Sequence, residues 1–399
     1  MQLDTFSELL RPLGQEALQA AILLKPRELD FLPHLQTLSR RFPARLAQAA
    51  LETAILRQKA AAKFPFADQL YFTRQALEQA SSYEMSTYRA GRYRGCERLA
   101  DLGCSLGSDT VALAVIAPTL GVDQDPLRLR MAQANLLALG LIGRTTLLQA
   151  NLETSLPFQP NPRLGLFFDP ARRSDEGRAH SIQRYQPSLQ IIESWLVRFP
   201  ALGVKISPGV NLEELSPYPA EVEFISLNGD LKEAVLWFGP LKTALRRATL
   251  LPGRHTLAIP SDTQPSTRNS PPSLSKPLSY LYEPDPAILR AGLVQQLGNM
   301  LYAYQLDPDI AYLTAETPQS TPFARLWPVE DWLPFNLKRL RAYLHQRHIG
   351  QVVVKKRGSP LEPHELIIKL RLKGDQRCTL FLTHLRGKPI VVIAGDVLR

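Results

Sequence analysis

The sequence has 399 residues, 45% hydrophobic and 21% charged, a composition of folded domains rather than of a disordered chain. No apolar run reaches the roughly 20 residues of a membrane helix, no basic stretch opens the N-terminus, and Cys96, Cys104 and Cys378 form no CxxC pair; a membrane-spanning, secreted or disulfide-framed protein is therefore not expected, and a reducing cytoplasm is. The formal net charge is +10, and residues 338–388 hold 13 Lys and Arg against 3 Asp and Glu, so a polyanionic partner is expected to meet the C-terminal part.

In chain order, residues 1–95 read as a helical module. Apolar side chains recur at three and four spacings (Phe6, Leu9, Leu10, Leu13; then Leu46, Ala49, Ala50, Ala54), and Pro12, Pro26, Pro33 and Pro43 fall near the ends of these stretches. Residues 96–252 change character. Short apolar strands are expected at 98–102, 119–122, 145–149, 164–168, 203–206, 222–225 and 234–238, with a helix over 126–139 that Asp125 caps. Strands separated by helices imply a parallel, doubly wound α/β sheet. Only eight residues separate the last two strands, too few for a parallel crossover, so the last strand is expected to run reversed. Residues 253–277 are rich in Pro, Ser and Thr and read as a linker. A smaller, basic α/β module follows at 278–399. Helices are expected over 287–301 and 334–347, and strands at 351–354, 366–370, 379–382 and 389–393.

The strongest local signal is Ala100-Asp-Leu-Gly-Cys-Ser-Leu-Gly-Ser108. A strand ends, a turn with Gly103 and Gly107 follows, and a helix begins. Glycine lets a ligand lie against the backbone, and the first N–H groups of the helix face an electronegative group. The letters also spell GxSxG, but a serine-hydrolase elbow needs its nucleophile at the tip and a His partner downstream. Twenty residues after Gly103, Asp123 ends the second strand, where a carboxylate can hold ribose hydroxyls. Nicotinamide-dependent proteins share that pairing but use three glycines at GxGxxG spacing.

With these motifs the sequence resembles the class I S-adenosylmethionine-dependent methyltransferases. Asp101-Leu-Gly-Cys-Ser-Leu-Gly107 resembles their motif I, Val122-Asp123 motif II, Gln149-Ala-Asn151 motif III and Phe167-Phe-Asp-Pro-Ala-Arg-Arg173 motif IV. The resemblance covers roughly residues 96–240. It implies a Rossmann-like, seven-stranded sheet with a reversed last strand, and S-adenosyl-L-methionine as cofactor. More narrowly, Phe72–Ala80, Asp169–Arg173, Leu333–Arg341 and Val354–Gly358 resemble a bacterial group of methyltransferases with a C-terminal THUMP-like domain. THUMP domains bind RNA, so this resemblance implies an RNA substrate, a transfer or ribosomal RNA.

Carried onto this sequence, the resemblance gives Gly103 and Gly107 the cofactor's methionine and adenosine parts. Asp101 would orient the methionine amino end, Asp123 would hold the ribose, and Asn151 would contact the adenine. Asn151 stands where the family often has Asp, and it keeps a side-chain acceptor. Asp169 and Pro170 stand where amino-methylating enzymes place Asp or Asn before two prolines and an aromatic. There a carboxylate and a backbone carbonyl accept the two N–H bonds of a base amine and aim its nitrogen at the methyl group. Ala171 replaces the second proline and Arg172 the aromatic, which leaves the target atom open. Motif IV holds no cysteine, so direct transfer to nitrogen is expected rather than a cysteine adduct. Phe72-Thr73 and the pair Arg89 and Arg92 resemble segments that close over the cofactor.

Arg172, Arg173 and Arg178 follow motif IV and are candidates to grip phosphates, as are Lys355, Lys356 and Arg357 after a strand of the basic module. Trp327 and Trp332 are expected in a core or interface. The seven histidines show no metal pattern, and no metal is expected. The oligomeric state is not legible, with a monomer favoured. Two other readings stay open: a non-catalytic RNA-binding protein on a degenerate methyltransferase domain, and a small-molecule methyltransferase.

Overall fold

The computed structural model describes residues 1–159, 161–172, 181–182, 185–261 and 273–398. Two compact units emerge, residues 1–221 with 234–243, and residues 222–233 with 244–399.

The first unit opens with the expected helices: α1 (Leu3–Leu9), α2 (Pro12–Leu23), α3 (Phe31–Ser39), α4 (Ala44–Ala60), α5 (Arg74–Gln79) and α6 (Tyr83–Ala90). Pro12 sits at the first position of α2 and Pro43 just before α4, where a missing N–H costs nothing. The alanine face of α4 (Ala47, Ala50, Ala54) is buried and lets neighbouring helices approach closely. The same core takes in Phe6, Leu9, Leu106 and Met131, so the helical module is packed onto the part that follows it. Phe6 and Tyr71 meet edge to face at 5.3 Å.

Alternating strands and helices follow: β1 (Arg98–Leu102), α7 (Ser108–Ile116), β2 (Thr119–Asp123), α8 (Pro126–Ala138), β3 (Thr145–Gln149), β4 (Leu164–Phe168), the short β5 (Ala171–Arg172) and β6 (Tyr185–Gln186), α9 (Ile191–Leu196) and β7 (Leu202–Ile206). Next come β8 (Glu221–Leu227) and β9 (Asp230–Trp237), joined by the two-residue turn Asn228-Gly229 at φ +55° and +83°, and the unit boundary falls inside this hairpin. The hydrogen-bonded order within the first unit is β9-β7-β4-β1-β2-β3. All neighbours are parallel except β9, which runs against β7 with Gly203 opposite Trp237. The reversed last strand is as the short connection required. As expected, Asp125 caps α8, its Oδ1 accepting from the N–H groups of Leu127 and Arg128 at 2.8 and 3.2 Å.

In the second unit, β10 (Ala244–Leu251) pairs in parallel with β8, and β11 (His255–Pro260) pairs antiparallel with β10. The seven expected strands are present as β1–β4 and β7–β9, and these two add to them. Residues 255–260, expected inside the linker, thus form a strand, because the Pro and Ser richness begins only at Pro260. The rest of the expected linker at 262–272 lies outside the described residues.

A second sheet follows, built from β12 (Tyr280–Pro284), β13 (Tyr304–Asp307), β14 (Ile310–Ala315), β15 (Ala324–Pro334), β16 (Ile349–Lys356), β17 (Gln376–Leu385) and β18 (Lys388–Ala394), in the order β13-β14-β12-β15-β18-β17-β16. Side chains alternate across it. Leu380, Leu382, Val391 and Ile393 share a core with Leu340, Leu344, Leu366 and Leu370 of the helices Leu337–Gln346 and Pro363–Leu370. Phe381 points the other way, against Tyr312 and Trp327 at 5.3 and 5.1 Å. Trp327 is thus in the core, as expected. Two expectations fail. Residues 366–370 are helical, not a strand: Pro363 opens the helix, and Leu366 and Leu370, four apart, are its buried pair. The expected helix 287–301 is two helices, Pro286–Ala291 and Val294–Leu301, because Gly292 ends the first at φ +68°. Among the described residues, no helix is long and apolar enough to cross a membrane.

Candidate active site

The turn after β1 is held in a strained shape. Gly103 and Gly107 both have φ +83°, and Ser105 between them has φ +50°. A Cβ on Gly103 would stand 3.0 Å from the backbone oxygen of Asp169, and one on Gly107 would meet Ala132 of α8 at 3.4 Å. Both positions therefore want glycine, for conformation and for space. Gly107 also caps α7 and offers no side chain to its first-turn N–H groups. Beside it lies a hollow lined by Phe64, Phe66, Phe72 and Tyr83 of the helical module and by Leu106 and Ser108 of the turn.

Asp123, at the tip of β2, is 7% exposed. Its Oδ2 accepts from the N–H of Ser105 at 2.8 Å and its Oδ1 from that of Asp125 at 2.9 Å. The carboxylate thus ties the glycine turn to the start of α8, and each oxygen keeps a second lone pair for a ligand hydroxyl. Asn151 follows β3, and Ala150 beside it donates to the Asp123 carbonyl at 3.1 Å. The Asn151 side chain is exposed and accepts from the Glu153 N–H at 2.9 Å. Asp101 is 1% exposed beneath α7, where Thr110 Oγ1 donates to it at 2.6 Å. Burial, then the neighbouring Asp109, push its pKa well above the usual carboxylate range, while the Thr110 bond pulls it down. Cys104 is 4% exposed, and burial pushes its thiol pKa well up, which disfavours the thiolate.

Asp169 directly follows β4, and its N–H bonds the Leu102 carbonyl of β1 at 3.2 Å. Its Oδ2 accepts from Lys205 Nζ at 2.7 Å. Pro170 is buried behind it, and Arg172 lies on β5 opposite Tyr185. Arg173 and Arg178 lie outside the described residues. Gly103, Asp123 and Asp169 are thus brought to one edge of the sheet, where parallel α/β sheets take their ligands.

Lys205 is the residue that sequence reasoning missed. Its signal was available, a single charge in the apolar strand Leu202-Gly-Val-Lys-Ile206, since buried lysines need a partner. Arg89 is 1% exposed, bonded to Asp109 and lying over the Phe167 ring at 5.1 Å. Burial alone would raise the Asp109 pKa, but Arg89 and then Lys205 outweigh it and hold it below its ordinary value. Arg92 pairs with Glu221 at 2.6 Å, and Thr73 caps α5. Asn135, also missed, bonds the Tyr71 N–H and the Tyr71 and Leu106 carbonyls, so it braces the helical module against the turn.

In the second unit, Lys355 donates to Glu283 at 2.5 Å and lies over the Trp327 ring, Arg357 stands 3.9 Å from Glu283 and over the Tyr312 ring, and Lys356 pairs with Glu362 at 2.5 Å. These cations are tethered within the fold rather than projecting freely. Among the described residues, no group of three or more His, Cys, Asp or Glu is placed to hold a metal.

Comparison with known proteins decides the family. The chain is 32% identical over 362 residues to uncharacterized S-adenosylmethionine-dependent methyltransferases of two Mycobacterium tuberculosis strains, covering 88% of this chain and 96% of theirs. The chain belongs to the S-adenosylmethionine-dependent methyltransferases. A THUMP domain-like family model matches residues 324–396 of this methyltransferase, and a domain of unknown function (DUF8688) matches residues 2–60. The crystal structure of a candidate methyltransferase from Porphyromonas gingivalis W83 shares the fold, with TM-score 0.78 at 22% identity over 96% of this chain and 98% of that one. The site fits the cofactor of the family. Two glycines clear the backbone, a helix start faces the turn, and a buried acid stands at the tip of β2.

Proposed function

We propose that this methyltransferase modifies RNA at a base nitrogen by direct transfer, in the cytoplasm, with its C-terminal module recruiting the RNA. The observation that carries the RNA reading is the THUMP domain-like match at 324–396, which falls on the most basic stretch of the chain. When bound, S-adenosylmethionine supplies an electrophilic methyl group on a sulfonium. In this reading Gly103 and Gly107 let it lie against the backbone, and Asp123 and Asn151 hold its nucleoside end. Asp169 and Pro170 receive the base, so positioning and local charge do most of the catalysis.

Purified protein with methyl-labelled S-adenosylmethionine and RNA from cells lacking the gene tests this. Label is expected in acid-precipitable material that ribonuclease releases. Ribonuclease-resistant or low-mass label contradicts the RNA reading and favours a protein or small-molecule substrate.

Asp123→Ala is expected to weaken binding of S-adenosylhomocysteine by about 10- to 100-fold in titration calorimetry, the cost of hydrogen bonds to a charged group. Asp123→Asn, which keeps one acceptor, is expected to lose less. Equal affinity in wild type and Asp123→Ala contradicts the ribose assignment.

Arg172 and Arg173 remain proposed phosphate contacts near motif IV, and Lys355, Lys356 and Arg357 in the basic module. Replacing the last three with Ala is expected to flatten the salt dependence of RNA binding by roughly 0.7 for each phosphate that is no longer neutralised, with cofactor affinity unchanged. An unchanged slope means that these cations serve only Glu283, Glu362 and the aromatic rings beneath them.

A further inference from the structure

Lys355, Lys356 and Arg357 are engaged by Glu283 and Glu362, so the open positive charge of the basic module lies elsewhere. It lies on the outer side of the two helices that cover one face of the second sheet. In the helix Leu337–Gln346, Leu340 and Leu344 turn inward. Lys338, Arg341 and His345 recur at spacings of three and four, which lines them along one flank of that helix. The end of the helix Pro363–Leu370 lies against this flank: Arg341 donates to the Lys369 carbonyl, and His345 Nε2 stands 2.8 Å from the Arg371 carbonyl. The chain then passes the far end of the first helix, where the Gln376 N–H bonds the His348 carbonyl at 3.0 Å. Lys369, Arg371 and Lys373 are thereby brought beside the flank that carries Lys338, and all four of these side chains are exposed.

Few carboxylates answer these charges. Glu365 meets Lys369 at 3.5 Å with both side chains more than half exposed, which makes a weak pair. Asp375 accepts from Gln376 Nε2 at 3.4 Å. Glu330 and Asp331 act on Tyr343, which the helical spacing puts on the opposite flank. Among the described residues, Lys338, Arg371 and Lys373 stand in no ion pair. Arg371 also occupies the cap after its helix at φ +50°, a position where glycine is usual. The aromatic side chains of this layer, Phe335 and Tyr343, are half-buried, and Arg347 lies over the Tyr343 ring at 3.7 Å. A surface that offers cations and no open ring suits phosphates rather than stacked bases.

We propose that this helix layer is a docking surface for the phosphate backbone of RNA. Lys338, Arg371 and Lys373 are the contacting cations, and Arg341 and His345 hold the 369–373 segment in place. This rests on the RNA reading above and deepens it, and it is separate from the assignment of Lys355, Lys356 and Arg357. Docking here is independent of sequence, since phosphates carry none, and the choice of nucleoside falls to the active site.

The full-length protein carrying Lys338→Gln, Arg371→Gly and Lys373→Gln together is titrated at several salt concentrations with two RNAs of unrelated sequence, a transfer RNA mixture and a synthetic duplex. The three side chains are exposed and glycine suits φ +50°, so the variant is expected to keep the wild-type urea midpoint and S-adenosylhomocysteine affinity. The log–log salt slope of RNA binding is expected to flatten by about 2 to 3, near 1 for each lost cation, and alike for both RNAs. Lys338→Arg with Lys373→Arg is expected to keep the wild-type slope. An unchanged slope in the triple variant overturns the proposal, as does a loss confined to one RNA. Wild-type protein that binds neither RNA removes the RNA reading and this proposal with it, a result distinct from an unchanged variant. Salt-dependent binding of polyglutamate in place of RNA gives the surface to an acidic protein and overturns the RNA assignment.

Discussion

Asp169→Ala is expected to lower methyl transfer about 1,000-fold while leaving S-adenosylhomocysteine affinity within about 3-fold of wild type. The two effects separate because of what each atom of Asp169 does. Its backbone oxygen lies against Gly103 and so helps to shape the cofactor turn, and an alanine keeps that oxygen in place. Its carboxylate stands beyond, bonded to Lys205 and a third exposed. Removing the carboxylate takes away the proposed acceptor for the substrate's N–H and one partner of the deeper Lys205 ammonium. Transfer assays and calorimetry on the same preparations check both halves. A variant that binds S-adenosylhomocysteine normally and still transfers methyl at near the wild-type rate would place the acceptor elsewhere on the sheet edge.

Arg89→Met is expected to cost roughly 3–5 kcal/mol of unfolding free energy, the usual loss when one half of a buried ion pair is removed. Arg89 is 1% exposed, and its partner Asp109 lies in the first turn of α7, directly after the glycine turn. Without the guanidinium, Asp109 loses the cation that pairs with it and must stay charged at a cost or take up a proton. The packing of Arg89 on the Phe167 ring disappears as well. Urea titration of the variant measures the change. The double replacement Arg89→Met with Asp109→Leu is expected to recover a large part of it, since it removes both charges of the pair. A loss below about 1 kcal/mol in the single variant would show that the pair is not the clamp between α6 and α7.

Much of this architecture was legible because strand ends, glycines and caps act locally. Gly103, Gly107 and the Asp125 cap could be placed from the sequence since each answers a demand of its own few residues. The reversal of β9 followed from the length of one connection. What was not legible depends on partners distant in sequence. Lys205 meets Asp169 only because β7 lies beside β4, 36 residues on. Glu283 reaches Lys355 across 72 residues and binds a cation that local charge clustering presents as open to phosphate. The strand expected at 366–370 failed for a different reason. Ile367 and Ile368 look β-prone, but both are exposed, and burial at Leu366 and Leu370 selects the helix. β10 and β11 were missed because their charged and polar residues, such as Arg246, Arg247 and Thr256, interrupt the apolar pattern that marks a strand.

The most direct measurement is the nucleoside profile of transfer and ribosomal RNA from cells lacking the gene, complemented either by the wild type or by Asp169→Ala. One methylated nucleoside is expected to vanish on deletion, to return with the wild-type chain and to stay absent with Asp169→Ala. Full restoration by Asp169→Ala, or a profile that deletion leaves unchanged, would contradict an RNA methyltransferase working through the edge of β4.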